Sequence, residues 1–322
     1  MLNFVRPEQL ANAVGFDLPT VSDVLHKKDC YLRHFLIRRP DGKTRKVVSA
    51  LPPLYHIQRY FLQNVLRPNF QPSIESHGGI VKRSIKTNAA AHSRQRFAYT
   101  TDVSDFFPSI HYNRVAAWFE RVGCSSAVAG MCACICTADN RLQQGLMTSP
   151  FIADQLMKPV DVQIASMCRK QKRPLVYTRY VDDISVSGPF DLQKSRIPHL
   201  VRRILKHNGF RAKIEKEQFG TLRDGVAITK VRIRKGGRLD VTREYAAEVD
   251  KLLRQHITLS NGGEFTGTFL TEAQLWGKVS FVCWVNPGRA PELLSLLKRI
   301  DWDQAFENAH ARGLLNLFTP QR

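Results

Sequence analysis

The chain has 322 residues, 43% of them hydrophobic, and a net charge of +20. That length can bury a sizeable core or two to three packed subdomains. No stretch reaches the roughly 18 uncharged apolar residues of a membrane span, and seven scattered cysteines, an odd number, argue against a disulfide framework.

The charge excess calls for a polyanionic partner. Residues 236–322 are neutral, with ten basic and ten acidic side chains, whereas residues 1–235 hold 38 basic against 18 acidic, and residues 194–235 alone hold 13 against three. A solubilising surface would spread such charge; a groove that tracks a nucleic-acid backbone concentrates it. The first residues, Met1 to Pro7, lack the basic region and long apolar run of a signal peptide, so a cytoplasmic location without membrane contact is expected.

In chain order, residues 6–28 read as two short helices, with Pro7 in a first-turn position and Pro19-Thr20 opening the second. Residues 31–50 read as a hairpin turning at Pro40-Asp41-Gly42-Lys43 and projecting Arg38, Arg45 and Lys46. Leu54, Ile57, Phe61, Leu62 and Val65 recur at helical spacing. Ser76-His77-Gly78-Gly79-Ile80-Val81-Lys82-Arg83-Ser84 joins paired glycines to two cations, the makings of a phosphate cradle. Asn88-Ala89-Ala90-Ala91-His92 reads as a helix capped by Asn88.

Residues 99–102 form a short strand ending at Asp102, followed by a turn and a helix. Residues 111–121 and 125–136 read as helices. Cys132, Cys134 and Cys136 have one-residue gaps instead of the two-residue gaps of zinc sites and read as small buried helix residues. A polar loop at 142–150 leads into a long helix over about 151–169, and the charge run 169–173 fits a solvated face and a nucleic-acid contact equally. Residues 176–187 are rich in β-branched and aromatic side chains, interrupted by Asp182-Asp183, and read as a hairpin with the two acids at its turn. A basic helix over 192–207 ends at Asn208-Gly209, and residues 232–239 read as a hairpin with a Gly-Gly turn. From Thr242, which suits a cap, the chain is helical, with breaks at 261–263 and near 286–290.

Adjacent carboxylates in an apolar hairpin repel each other, and a divalent cation with a taste for hard oxygen ligands, Mg²⁺ or Mn²⁺, compensates best. Asp102, at a strand end, can meet Asp182 and Asp183 across a sheet. Three carboxylates then hold two metal ions, one activating a 3′-hydroxyl and the other clamping a leaving phosphate.

These stretches carry a family resemblance over about residues 31–250. Tyr180-Val181-Asp182-Asp183 resembles the YxDD box of reverse transcriptases, and Asp102-Val103-Ser104-Asp105-Phe106-Phe107-Pro108-Ser109-Ile110 resembles their first palm motif. The resemblance implies an α+β right-hand polymerase: fingers and palm with an antiparallel palm sheet over residues 1–235, and an α-helical thumb over 236–322. It implies that Asp102, Asp182 and Asp183, with the Val103 carbonyl, hold two Mg²⁺ ions for polymerisation of deoxynucleoside triphosphates. Arg45 in the basic hairpin would hold the triphosphate. Residues 76–84 resemble the second fingers motif of retron and group II intron enzymes, making Lys82 and Arg83 triphosphate or template contacts. Phe107 stands where a bulky aromatic excludes the ribose 2′-hydroxyl. Gln144 lies in a loop similar to QGxPxSP, with Met147 in place of Pro, and would sit by the nascent base pair. Lys216 matches the Lys of the next motif, while Lys213 replaces its Asn.

Asn88 to His92 matches the NAxxH element of retron reverse transcriptases, associated there with handling the cognate RNA. Ile228-Thr229-Lys230 departs from the Val-Thr-Gly that those enzymes carry at that place. The retron resemblance implies RNA-directed DNA synthesis on a cognate structured non-coding RNA, primed from an RNA 2′-hydroxyl to give a branched RNA–DNA hybrid, with a role in anti-phage defence and a separate effector protein. The alternatives are an intron-derived or abortive-infection reverse transcriptase, an RNA-dependent RNA polymerase, which Phe107 opposes, and a non-catalytic RNA-binding scaffold, which the complete set of three acids opposes.

Overall fold

A computed structural model describes residues 1–38, 42, 44–223 and 225–315. The turn expected at 40–43 lies outside the described residues except for Gly42. The chain forms two compact units, Met1–Ser84 with Phe97–Phe219, and Ile85–Arg96 with Gly220–Arg322.

The first unit opens with helices Pro7–Ala13 and Leu18–His26. The second is capped by Asp17, whose carboxylate accepts the Thr20 amide at 2.7 Å, and Pro19 stands in its first turn as expected. β1 (Leu32–Arg38) and β2 (Thr44–Ala50) pair antiparallel from Leu32 opposite Ala50 to Arg38 opposite Thr44. Most of β1 is exposed, which basic side chains make tolerable at an edge. Helix Leu54–Tyr60 continues as a π-helical segment, Phe61–Leu66, and buries Leu54, Ile57, Phe61, Leu62 and Val65, as their spacing predicts, together with Leu66.

At the centre of this unit lie β3 (Phe97–Asp102), β4 (Val176–Tyr180) and β5 (Asp183–Gly188), with β5 antiparallel to both neighbours, in a sheet of order β4-β5-β3-β6 whose last strand, β6 (Gln218–Thr221), begins in this unit. Helices Tyr112–Arg121, Ser126–Cys136, Ser149–Arg169 and Ile197–His207 complete it. β5 is buried from Ile184 to Gly188, so both its faces are covered: Ile184 and Val186 lie on one, and the small Ser185 and Ser187 on the other. Cys132 and Cys136 are buried in their helix.

The second unit joins helix Ile85–Ala91 to the antiparallel pair β7 (Val231–Ile233) and β8 (Leu239–Val241), and to helices Arg243–Ser260, Glu272–Val285, Ala290–Lys298 and Trp302–Ala311. Thr242, Thr271 and Asp301 each accept an amide of the first helical turn. His256 is fully buried among Phe265, Phe269 and Trp302, and burial lowers its pKa.

The compact units part after Phe219, not between the expected 235 and 236, and residues 85–96 join the C-terminal unit. The reason is packing: β7 and β8 lie against helix Ile85–Ala91, and β8 also lies against Glu272–Val285. Asn88 is not a cap. It sits inside helix Ile85–Ala91, fully buried, and its Nδ2 donates to Thr229 Oγ1 at 3.2 Å. Thr229 and Lys230 have φ of +46° and +65°, and Ile228 and Val231 exchange two backbone hydrogen bonds across them. This left-handed turn is the conformation for which a glycine at Lys230 would be suited. Among the described residues no helix is long and apolar enough to cross a membrane.

Candidate functional site

Strand register brings the three acids together. Asp102, the last residue of β3, pairs with Asp183, the first of β5. Tyr180 pairs with Asp183 across β4 and β5, so the turn consists of Val181 and Asp182, one residue earlier than the expected Asp182-Asp183. Val181 has φ +59°, the sign a two-residue hairpin turn demands at its first position and one a β-branched residue seldom adopts. The Val103 amide donates to the Asp182 carbonyl at 3.0 Å and stitches the two acid-bearing segments together. On the other side, the Ser104 amide donates to the Arg211 carbonyl at 2.8 Å and the Lys213 amide to the Asp102 carbonyl at 2.8 Å.

Crowding sets the electrostatics. Burial, a hydrogen bond with Asp102 and the charge of Asp182 push the Asp183 carboxyl up to about 8. Asp182 is raised by burial and by Asp102, against the opposing charges of Arg45 and Lys216. Burial would also raise Asp102, but its hydrogen bonds with Asp183 and with the Lys216 ammonium prevail and lower it. The Lys216–Asp102 ion pair raises the pKa of Lys216. Among the described residues no group of three His, Cys, Asp or Glu side chains stands arranged as a metal cage. Here Asp102 is turned to Lys216 and Asp183 instead. The donor set nonetheless suits a hard divalent cation: it is all carboxylate oxygen, and its mutual repulsion is what such a cation would relieve.

The other expected residues divide. Arg45 is exposed on β2 opposite Ile37, and its charge reaches Asp182. Lys46 is instead paired with Asp139 at 2.8 Å. The Gln144 carbonyl accepts the Val48 amide at 2.8 Å, which docks its loop on β2. Phe107 is 9% exposed, its ring against Phe106, which in turn faces Phe210. Lys82 is exposed with φ +64°. Arg83 turns inward: its Nη1 donates to the carbonyls of Ser73 at 2.8 Å, Ile74 at 2.9 Å and Ser76. The expected triphosphate or template contact is therefore at odds with where Arg83 points, because three carbonyls already take that nitrogen.

Gly145 makes the docking on β2 possible. Its φ is +103°, and a Cβ there would overlap the Val48 carbonyl oxygen and lie 2.6 Å from Val47 Cγ1. Gly145→Ala is expected to cost about 2–4 kcal/mol through backbone strain and loss of the Gln144–Val48 bond. A thermal melt should register this as a midpoint lowered by roughly 6–12 °C; an unchanged midpoint would mean that the loop is not anchored there.

Sequence reasoning passed over Arg179 and its partners Asp154 and Asp161, and read Gly78 as part of a phosphate cradle, whereas Arg179 and Gly78 both lie against the acid-bearing turn. The available signal was a lone Arg in an apolar strand, which must find partners if it is buried.

A family model described as reverse transcriptase (RNA-dependent DNA polymerase) matches residues 26–255. Among curated proteins, the chain is 26% identical over 294 residues to the retron Mx65 reverse transcriptase of Myxococcus xanthus, covering 81% of this chain and 66% of that protein. It is 24% identical over 326 residues to the retron Mx162 reverse transcriptase of the same organism, covering 91% and 67%. To the retron Ec86 reverse transcriptase of Escherichia coli it is 28% identical over 181 residues, covering 56% of each. The chain thus spans about two thirds of the length of the first two relatives and just over half of the third.

Proposed function

The chain belongs to the reverse transcriptase (RNA-dependent DNA polymerase) family, and from that premise we propose that it copies a structured retron RNA into DNA, using Asp102, Asp182 and Asp183 as its catalytic acids. The observation that carries this reading is the register pairing of Asp102 with Asp183, with Asp182 in the adjoining turn: three carboxylates at one sheet end. Two Mg²⁺ ions held by these carboxylates and the Val103 carbonyl would supply activation of the priming hydroxyl and charge screening at the leaving phosphate.

The chain's own residues do the rest. Arg45 and Lys82, both exposed cations, neutralise the incoming triphosphate. Lys216 pairs with Asp102 and, once released from it, would be free to face the phosphates. Gln144, fixed on β2, borders the nascent base pair. Phe107 excludes the 2′-hydroxyl. Residues 1–219 without 85–96 act as fingers and palm, and the C-terminal helices act as thumb. The relatives, named as retron reverse transcriptases, support a retron RNA as the partner, which in this reading serves as both template and primer. Priming from a 2′-hydroxyl, a branched RNA–DNA product and a defence role with a separate effector complete the reading.

The test is to purify the protein from its native locus, extract the co-purifying nucleic acid, digest it with RNase and run it on a denaturing gel beside Asp182→Ala protein. A discrete short DNA in the native sample alone, with mobility shifted by debranching, is expected. RNA bound by both proteins with DNA in neither would overturn polymerisation, and heterogeneous unbranched DNA would overturn the retron reading.

A further inference from the structure

Arg179 heads the fully buried side chains by size among the described residues, 1% exposed, one position before Tyr180 in β4. Its Nε and Nη2 grip the two oxygens of Asp161 at 2.9 and 2.8 Å, and Nη2 also reaches Asp154 at 2.8 Å. Both acids lie on helix Ser149–Arg169, seven residues apart and so on one face. Asp161 further accepts the Tyr177 hydroxyl at 2.7 Å, and Asp154 the Ser73 amide at 3.0 Å. The remaining nitrogen, Nη1, donates to the backbone carbonyl of Val181 at 2.9 Å. The backbone of Arg179 is held as well, its amide to the Glu75 carbonyl at 2.8 Å and its carbonyl to the His77 amide at 2.7 Å. Gly78 follows, so close to the turn that a Cβ on it would lie 2.6 Å from the Val181 nitrogen.

Val181 is a residue that needs holding. A β-branched side chain at φ +59° is strained, and a free hairpin would relieve the strain by rotating Val181 back to negative φ, which would swing the peptide that follows and re-aim Asp182. That rotation requires the Val181 carbonyl to leave the guanidinium. We propose that Arg179, anchored by Asp161 and Asp154, is a positioning residue that keeps the Val181–Asp182 turn left-handed and so aims Asp182 and Asp183 at Asp102. This rests on the reading of the three acids as metal ligands. A buried ion pair that served stability alone would have no need of the contact to Val181.

The test compares native protein, Arg179→Lys, and Arg179→Lys with Val181→Asn. Lysine keeps the charge but lacks the fork, and asparagine accepts the left-handed region readily. Three readouts apply: amide hydrogen exchange over residues 180–184, Mn²⁺ affinity of the protein without nucleic acid by electron paramagnetic resonance, and kcat and KM on a primed RNA. Arg179→Lys is expected to speed exchange in the turn, weaken Mn²⁺ binding about tenfold and lower kcat by about 10- to 100-fold, with primer–template KM nearly unchanged. Adding Val181→Asn should recover much of the Mn²⁺ affinity and kcat without restoring the melting midpoint. Unchanged exchange and Mn²⁺ affinity in Arg179→Lys, or no recovery with Val181→Asn, would overturn the proposal. Should Arg179→Lys fail to fold, Tyr177→Phe removes one bond to Asp161 and keeps every charge. Faster exchange at 180–184 then supports the proposal and an unchanged rate overturns it. Native protein that makes no DNA while its turn still responds to these changes would instead refute the polymerase reading, since hydrogen exchange reads the turn directly.

Discussion

Asp183→Asn is expected to lower DNA synthesis by about a thousandfold or more and, in the same protein, to raise stability once metal is removed. The two effects have one cause. Asp183 is a half-buried carboxyl beside two others, pushed from an ordinary 3.8 up to about 8. Between those values the native state holds a proton that the unfolded chain releases. Its contribution to stability is therefore complete below about pH 4 and lost as pH rises through about 8. Asparagine is neutral throughout, so melts in EDTA should coincide near pH 4 and separate by pH 8, with the variant higher. Added Mg²⁺ should raise the native midpoint and leave the variant's nearly where it was. A variant less stable than native protein at pH 8 in EDTA would show that the Asp183 carboxylate makes a structural bond and that crowding is not its state. A site held at the expense of stability is what a cation-binding cluster predicts.

The acids were legible because their chemistry is local. A carboxylate pair in a β-branched run and an Asp at a strand end are improbable in a core unless they meet something positive, and the sheet register then brings them together. Helices 54–66, Ser149–Arg169 and Arg243–Ser260 were legible from periodicity and caps. What sequence could not deliver depends on partners distant in the chain. Arg83 looked like a free cation beside Lys82, yet it closes the loop at 73–76, where its Nη1 gathers three backbone carbonyls. Asn88 looked like a cap because Asn usually is one, but its side chain bonds to Thr229, 141 residues on. The placement of the turn at Val181-Asp182 runs against local preference, which would put the two acids there. The Arg179 clamp that sustains it is invisible without the helix carrying Asp154 and Asp161.

Phe107→Val is expected to raise incorporation of ribonucleotides relative to deoxynucleotides by about a hundredfold, the removal of a clash of close to 3 kcal/mol. The ring is carried on a tightly bonded turn. The Ser109 amide donates to the Asp105 carbonyl at 2.7 Å, Ser109 Oγ donates to the Phe106 carbonyl at 2.8 Å, and Asp105 adopts φ +44°. Together with the Ser104–Arg211 bond these fix Phe107 relative to Asp102, five residues earlier. In the proposed reading the two adjacent rings play different parts. Both are buried in the core cluster; Phe106 also faces Phe210, and Phe107 packs on Phe106. A sugar gains a hydroxyl at little cost unless something solid stands where it goes, so discrimination of this kind is lost by subtraction. Valine keeps the contact with Phe106 and removes the outer part of the ring. It costs about 1–3 kcal/mol of packing, less than alanine would. The measurement is kcat/KM for a matched pair of deoxy- and ribonucleotides on one primed RNA, with Phe107→Tyr as the control that retains the bulk. Ribonucleotide incorporation should rise in the valine variant alone, while its deoxynucleotide kcat/KM falls less than about tenfold. A folded valine variant with an unchanged ratio would mean that Phe107 serves the core as Phe106 does, and that selection against the ribose lies elsewhere around Asp102.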